Sequence, residues 1–96
     1  MVVHIVMFKF KDENKEQNIA LVEQKLNDLV KLVPTLKSIE VGVDFNGSDR
    51  AFDLSLYSTF DSKEDLKSYA VHPEHLKVVE LIKEVTLESK VVDYIV

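Results

Sequence analysis

The sequence contains no cysteine. Disulfide bonds, thiolate nucleophiles and cysteine-ligated zinc or iron–sulfur sites are therefore excluded. Glycine and proline occur only twice each, and no segment is of low complexity. Hydrophobic residues make up 46% of the chain, which is enough to build a core. We therefore expect residues 1–96 to form one compact domain.

Positive charge and long hydrophobic runs are also scarce. The 12 Lys and Arg residues are outnumbered by 17 Asp and Glu residues, which gives a formal net charge of −5. A protein of this balance lacks the basic face that nucleic acid requires, so we expect no nucleic-acid partner. The first apolar run, MVVHIVMFKFK, is too short to cross a membrane and follows no basic segment. We expect no signal peptide, no membrane partner and a cytoplasmic location.

The first apolar segment, Val2 to Phe10, is typical of a β-strand because it is short, β-branched and aromatic. Its alternation defines two faces, one with His4, Val6, Phe8 and Phe10, the other with Val3, Ile5, Met7 and Lys9. Because both faces are largely apolar, we expect this strand to be central and covered on both sides.

From Glu16 the apolar period changes to that of an amphipathic helix, which ends before Pro34. Its apolar positions are Ile19, Val22, Leu26, Leu29, Val30 and Val33. Alternating strands are predicted over 37–46 and 52–60, with a turn at 46–49 between them.

The second half of the chain predicts two consecutive helical segments and a last strand. Ser62 is the expected N-cap of a short helix that carries Leu66, Tyr69 and Ala70 inward. Pro73 begins the next helix at the position that proline tolerates best. The apolar face of that helix comprises Val78, Val79, Ile82 and Val85, and residues 90–96 form the final strand.

The resulting order, βαββαβ, predicts an α+β, ferredoxin-like sandwich with a four-stranded antiparallel sheet and its helices on one face. The helices cover only one face, although the first and last strands are apolar on both. A second copy of the same sheet is the simplest cover for the other face. We therefore expect a homodimer in which two protomers form an α/β barrel.

Three polar side chains fall on apolar faces that meet in this arrangement, namely those of His4, Tyr69 and His75. His75 precedes Val78, Val79 and Ile82 by helical steps and lies near a helix N-terminus, where the dipole favours the neutral ring. A neutral histidine beside a phenol can remove a proton from carbon and polarise a carbonyl. The alternative interpretation is that these three residues belong to the core and have their hydrogen-bonding groups paired within the protein.

The segments HIVMFKFKD, VPTLKSIEVGVD, STFDSKEDLKSYAVHPEH and VVDYIV resemble the stress-responsive dimeric α/β-barrel domain family, with Tyr-x-x-His-Pro-x-His as the most specific part. The resemblance implies a homodimer of ferredoxin-like protomers. Many members have no assigned activity, whereas a plant member closes a linear polyketide by an aldol reaction without metal or organic cofactor. In that member the pocket lies between sheet and helices.

Residue by residue, the resemblance implies catalytic roles for His4, Tyr69 and His75, and an orienting role for Asp93 in the last strand. It implies a pocket for a small, apolar carbonyl compound and no cofactor. The expected lining consists of Val6, Phe8, Val22, Leu26 and Val79. Leu26 occupies the place of a pocket tyrosine on the first helix of the plant cyclase, so the resemblance implies the chemistry but not the product length or the placement of an aromatic tail.

Two other interpretations remain open. The chain could be a non-catalytic stress-response or structural dimer with an unknown ligand. His72 and His75 have the spacing of half a metal site, but Pro73 breaks the helical phase that would align both rings. We therefore expect no metal and interpret His72 as structural, at the helix junction.

Overall fold

The computed structural model describes all 96 residues. Four strands and three helices follow in the predicted order, with the second helical layer divided into two helices. They are β1 (Val2–Phe10), α1 (Lys15–Leu32), β2 (Ser38–Val43), β3 (Leu54–Phe60), α2 (Lys63–Val71), α3 (Pro73–Val85) and β4 (Thr86–Ile95). None of the helices combines the length and apolar character needed to cross a membrane.

The sheet is antiparallel throughout, with strand order β2-β3-β1-β4. The predicted central place of β1 is confirmed, since β3 and β4 pair with it along almost its whole length. The register sets His4 opposite Ser58 on one side and opposite Asp93 on the other. This is the ferredoxin-like βαββαβ fold that the order of elements predicted.

The core lies between one face of the sheet and the helices. β1 contributes only alternate residues to it, among them Val6, Phe8 and Phe10, because successive side chains of a strand point to opposite faces. From α1, Val22, Leu26 and Leu29 pack against them at helical spacing. The remaining buried members are Val2, Val33, Leu36, Leu54, Leu56, Phe60, Tyr69 and Val78.

The opposite face of the sheet carries apolar side chains that no helix of the chain covers. We call this face, defined by Ile5, Met7, Tyr57, Val92 and Tyr94, the open face. The register pairs Ile5 with both Tyr57 and Val92, so these three side chains are neighbours on it. Ile5 is half-buried, and each of the other four residues has 40–52% of its surface exposed to solvent. This is a contiguous apolar surface rather than scattered single residues.

Three predicted strand boundaries are wrong. β4 begins at Thr86 instead of residue 90, because TLES pairs with the end of β1 although its composition is polar. β2 ends at Val43, and β3 begins only at Leu54. Phe45, expected in β2, is 98% exposed in the connecting loop. The turn itself is confirmed, with Gly47 at φ 65 donating its N–H to Asp44 Oδ2 at 2.8 Å.

The helix signals were largely correct. The Ser62 hydroxyl accepts the Asp65 N–H at 3.1 Å, which is the predicted cap, and Pro73 is the first residue of α3. Two side chains that the periodicity placed inward are exposed, Val30 and Ala70. Both lie one residue beyond a buried position, Leu29 and Tyr69, which turns them about 100° away from the core by the 3.6-residue period.

Candidate active site

A cavity of about 250 Å³ lies between the covered face of the sheet and α3. Four of the five predicted lining residues surround it, namely Val6, Phe8, Leu26 and Val79. Val22 is not brought to the cavity; it is fully buried in the core one turn away on α1. The other lining residues are His4, Leu56, Tyr69, His75, Ile82, Lys83, Thr86 and Ser89.

His4 reaches the cavity from the middle of β1. Its neighbour in the sheet register is Asp93 of β4, and the two side chains are hydrogen-bonded through Nδ1 and Oδ1. The carboxylate can only accept, so Nδ1 carries the proton of this bond. A carboxylate behind a histidine fixes the ring's orientation and leaves Nε2 for other contacts. The sequence allowed a contact between His4 and Asp93 if the first and last strands were neighbours. The structure shows that they are, and the contact is present.

Tyr69 is the most completely buried polar side chain of the cluster, with 1% of its surface exposed. Its ring packs against Phe60 at 5.0 Å and against His75 at 4.1 Å between centroids. The hydroxyl lies out of contact with solvent and has no hydrogen-bond partner in the protein. Burial also raises the pKa of Tyr69 well above its ordinary value of 10.0, so the group remains a phenol, able to donate, at every physiological pH.

His75, near the start of α3, stacks obliquely on Tyr69 with an angle of 39° between the rings. Its Nδ1 lies 3.1 Å from the carbonyl oxygen of Ala70. A carbonyl only accepts, so Nδ1 carries the hydrogen, and in the neutral ring the lone pair is on Nε2.

Burial is the largest cause that lowers the pKa of His75 below its ordinary value of 6.5. Repulsion from His4 and His72 lowers this pKa further, while the bond to Ala70 opposes the shift. The sequence had predicted a neutral ring from the helix dipole; desolvation is the larger reason. At neutral pH His75 is thus an uncharged base beside an undissociated phenol.

His72 has the structural position that the sequence predicted. It ends α2 and caps α3, where its Nδ1 accepts the N–H of Glu74 at 3.1 Å. Its extended backbone, φ −64 and ψ 135, allows the chain to turn between the helices before Pro73. Two histidines three residues apart therefore have different positions, one capping a helix and one lining the cavity. No group of three or more His, Asp or Glu side chains is arranged to hold a metal ion.

The cavity also has a polar end that was not predicted from the sequence, formed by Lys83, Thr86 and Ser89. Lys83 was detectable, because it follows His75 and Val79 at steps of four residues on the same helical stripe. Ser89 was not, because its place depends on the pairing with Phe8 that the unforeseen start of β4 creates. The cavity thus has the His4–Tyr69–His75 cluster at one end and polar side chains at the other.

A family model, described as the stress-responsive A/B barrel domain, matches residues 2–96. The chain is 39% identical over 79 residues to a stress-response A/B barrel domain-containing protein of Arabidopsis thaliana, covering 82% of this chain and 30% of that protein. It is 34% identical to a second protein of the same description from the same plant, covering 99% of this chain and 47% of that one. The chain therefore spans less than half the length of these two relatives.

Olivetolic acid cyclase of Cannabis sativa is 29% identical over 77 residues, which cover 78% of this chain and 76% of the cyclase. Among solved structures, a dimeric protein of unknown function with a ferredoxin-like fold from Bacteroides fragilis superposes with a TM-score of 0.88. It is 33% identical, with 97% of this chain and 93% of that chain covered.

The hydroxynitrile lyase of Passiflora edulis superposes with a TM-score of 0.87 at 25% identity, and 99% of this chain and 92% of the lyase are covered. The family model, the curated relatives and the shared architecture agree along the whole chain. This chain belongs to the stress-responsive A/B barrel domain family.

Proposed function

We propose that this protein is a homodimer whose cavity binds a small, mostly apolar carbonyl compound and removes an activated proton from it without a cofactor. One observation carries the chemical part: the ring of Tyr69, whose buried hydroxyl has no protein partner, stacks on a neutral His75, and both residues line the cavity. An unpaired buried hydroxyl costs stability. A carbonyl oxygen of a ligand would supply the missing acceptor.

In the proposed reaction, Nε2 of His75 takes a proton from carbon next to a carbonyl. The electron pair of the broken C–H bond forms an enolate, and its oxygen accepts the hydrogen bond of the Tyr69 phenol. In a substrate with a second carbonyl, the enolate carbon can attack it and close a ring, an aldol reaction of the polyketide-cyclase type. The C=O π bond of the second carbonyl breaks, and the resulting alkoxide takes back the proton that His75 holds, which regenerates the neutral base. His4, held by Asp93, would bind or orient the substrate.

Two similar proteins bear enzyme names, olivetolic acid cyclase and hydroxynitrile lyase. Their names support an enzymatic activity over the alternative, a structural or stress-response dimer that only holds a ligand. The cavity of about 250 Å³ lies just below the range of roughly 300–1,000 Å³ that drug-sized ligands occupy, so the ligand is small.

Dimer formation is proposed from the open face. Its apolar side chains have no cover within the chain, and a face-to-face copy would bury them symmetrically. The solved relative from Bacteroides fragilis is itself described as dimeric, which supports the proposal.

The decisive experiment measures proton abstraction directly, without knowledge of the natural substrate. Benzoylacetone is incubated with the protein in deuterated buffer, and loss of the α-proton signal is followed by NMR. We expect the His75→Gln variant to lose about a hundredfold in exchange rate, the usual contribution of a general base. The matched control is His72→Asn, which removes a nearby histidine but keeps a side chain able to cap α3.

Equal exchange by the parent and His75→Gln would contradict the proposed base. Binding of benzoylacetone without accelerated exchange in the parent would favour the alternative, a dimer that holds its ligand unchanged. Thermal shift with the same compound distinguishes that outcome from the absence of any binding.

A further inference from the structure

Lys83 is the single side chain with a permanent positive charge on the wall of the cavity. The lining contains no Asp or Glu. This local excess of positive charge contrasts with the whole chain, whose net charge is −5. The net charge of the protein disfavours the approach of a negatively charged ligand, whereas Lys83 attracts it at this end of the cavity.

Lys83 is also free to meet a ligand. Lys83 is one of the seven lysines that form no ion pair, whereas the other four, Lys15, Lys37, Lys77 and Lys90, each pair with a carboxylate of the chain. Glu80, one turn earlier on α3, is also unpaired with it. No carboxylate of the chain therefore forms an ion pair with the ammonium group of Lys83.

Two spacings along the backbone, one in α3 and one in β1, give the approximate separation between the polar end of the cavity and its His4–Tyr69–His75 end. Eight residues of α3 separate His75 from Lys83, which corresponds to about 12 Å at 1.5 Å per residue. Ser89, on the same polar end, pairs with Phe8, four residues along β1 from His4, or about 14 Å at 3.4 Å per residue. The lysine stem can extend inward along apolar neighbours such as Val79.

We infer that the ligand of this cavity carries a carboxylate or comparable anionic group at one end, bound by Lys83, and its reactive carbonyl at the other end, bound at Tyr69. The Ser89 hydroxyl flanks the anionic end and is able to donate to it. The Thr86 hydroxyl lies at the same end but already donates to the carbonyl oxygen of Ile82 at 2.7 Å. The apolar side chains between the two ends match an apolar middle of the molecule. This inference rests on the proposed function and names its substrate class as keto acids over neutral ketones.

The experiment compares para-acetylphenylacetate with its methyl ester and its primary amide, which keep the ketone and the ring but remove the charge. Dissociation constants are measured by NMR titration at low and high salt. We expect the parent to bind the acid about fivefold tighter than either neutral compound, the size of a partly exposed ion pair. Lys83→Met should abolish this preference, Lys83→Arg should retain it, and salt should weaken it.

Lys31→Met is the matched control. Lys31 occupies the last turn of α1 as Lys83 occupies that of α3, so both substitutions remove the same favourable contact with a helix C-terminus. Lys31 does not line the cavity, and its variant should bind all compounds as the parent does.

The outcomes separate this inference from the proposed function. If the parent and Lys83→Met bind acid, ester and amide with the same relative affinities, the cavity binds ketones and the role of Lys83 is refuted. If none of the compounds binds the parent at any salt concentration, the proposed function itself fails, and this inference fails with it.

Discussion

The two faces of the sheet differ although the same strands build both. The covered face and the helices packed on it enclose the core and the cavity, where His4 of β1 lies near Tyr69 of α2 and His75 of α3. The open face contains no histidine. Its side chains Met7, Tyr57 and Val92 leave apolar surface in contact with solvent. The proposed function assigns chemistry to the covered face, where burial changes pKa values, and association with a second copy to the open face. The following predictions test this division, beginning with the largest expected effect.

A charge on the open face should separate the protomers. In a symmetric interface, Val92→Glu buries two carboxylates, one from each protomer. We therefore expect the dimer dissociation constant to rise by about a thousandfold or more. Leu21→Glu is the control, since Leu21 is an exposed apolar residue of α1. Light scattering across a concentration series measures both. A parent protein that is monomeric at micromolar concentration would refute the role assigned to the open face.

Within the covered face, packed and cavity-lining leucines should differ. Leu29→Ala creates a new void in the core where α1 packs, and it should lower the free energy of unfolding by about 3–5 kcal/mol. Leu26→Ala only enlarges an existing cavity, so we expect a cost nearer about 2 kcal/mol, at the low end of that series. Urea denaturation measures the two values. Equal costs would mean that Leu26 is packed as tightly as Leu29.

Tyr69→Phe should raise stability and lower activity. It removes a buried hydroxyl without a protein partner, so the free energy of unfolding should increase by about 1 kcal/mol. Proton exchange of a bound diketone should slow by about tenfold or more, since the enolate loses its donor. Tyr57→Phe on the open face is the control and should leave the exchange rate unchanged. A destabilised Tyr69→Phe variant would indicate that the hydroxyl has a stabilising partner.

The smallest effect concerns pH. The pKa of His75 is lowered in the folded state, so the unfolded chain binds more protons at this residue. The contribution to stability is complete above the ordinary value of 6.5 and is lost as pH falls from there through the lower folded pKa. Chemical denaturation between neutral and mildly acidic pH should therefore show a slope that His75→Gln reduces. An unchanged slope would show that His75 titrates normally.

Local signals in the sequence determined most of the architecture. The period-2 alternation of β1, the helical period that ends before Pro34, the cap at Ser62 and the helix start at Pro73 were each confirmed. These features depend on neighbours within a few residues, so they can be recognised before the fold is known. The convergence of His4, Tyr69 and His75 followed from which faces were apolar. The cytoplasmic location stays a prediction.

Only the tertiary structure decided the features that depend on distant partners. The polar start of β4 becomes a strand because the end of β1 offers it unpaired backbone groups, and this places Ser89 opposite Phe8. Val22 and Leu26 share one helical stripe, yet only Leu26 lines the cavity, because the position of α3 determines where the packing is incomplete. Periodicity identifies the side chains that face inward; three-dimensional packing determines whether each one meets another side chain or a cavity.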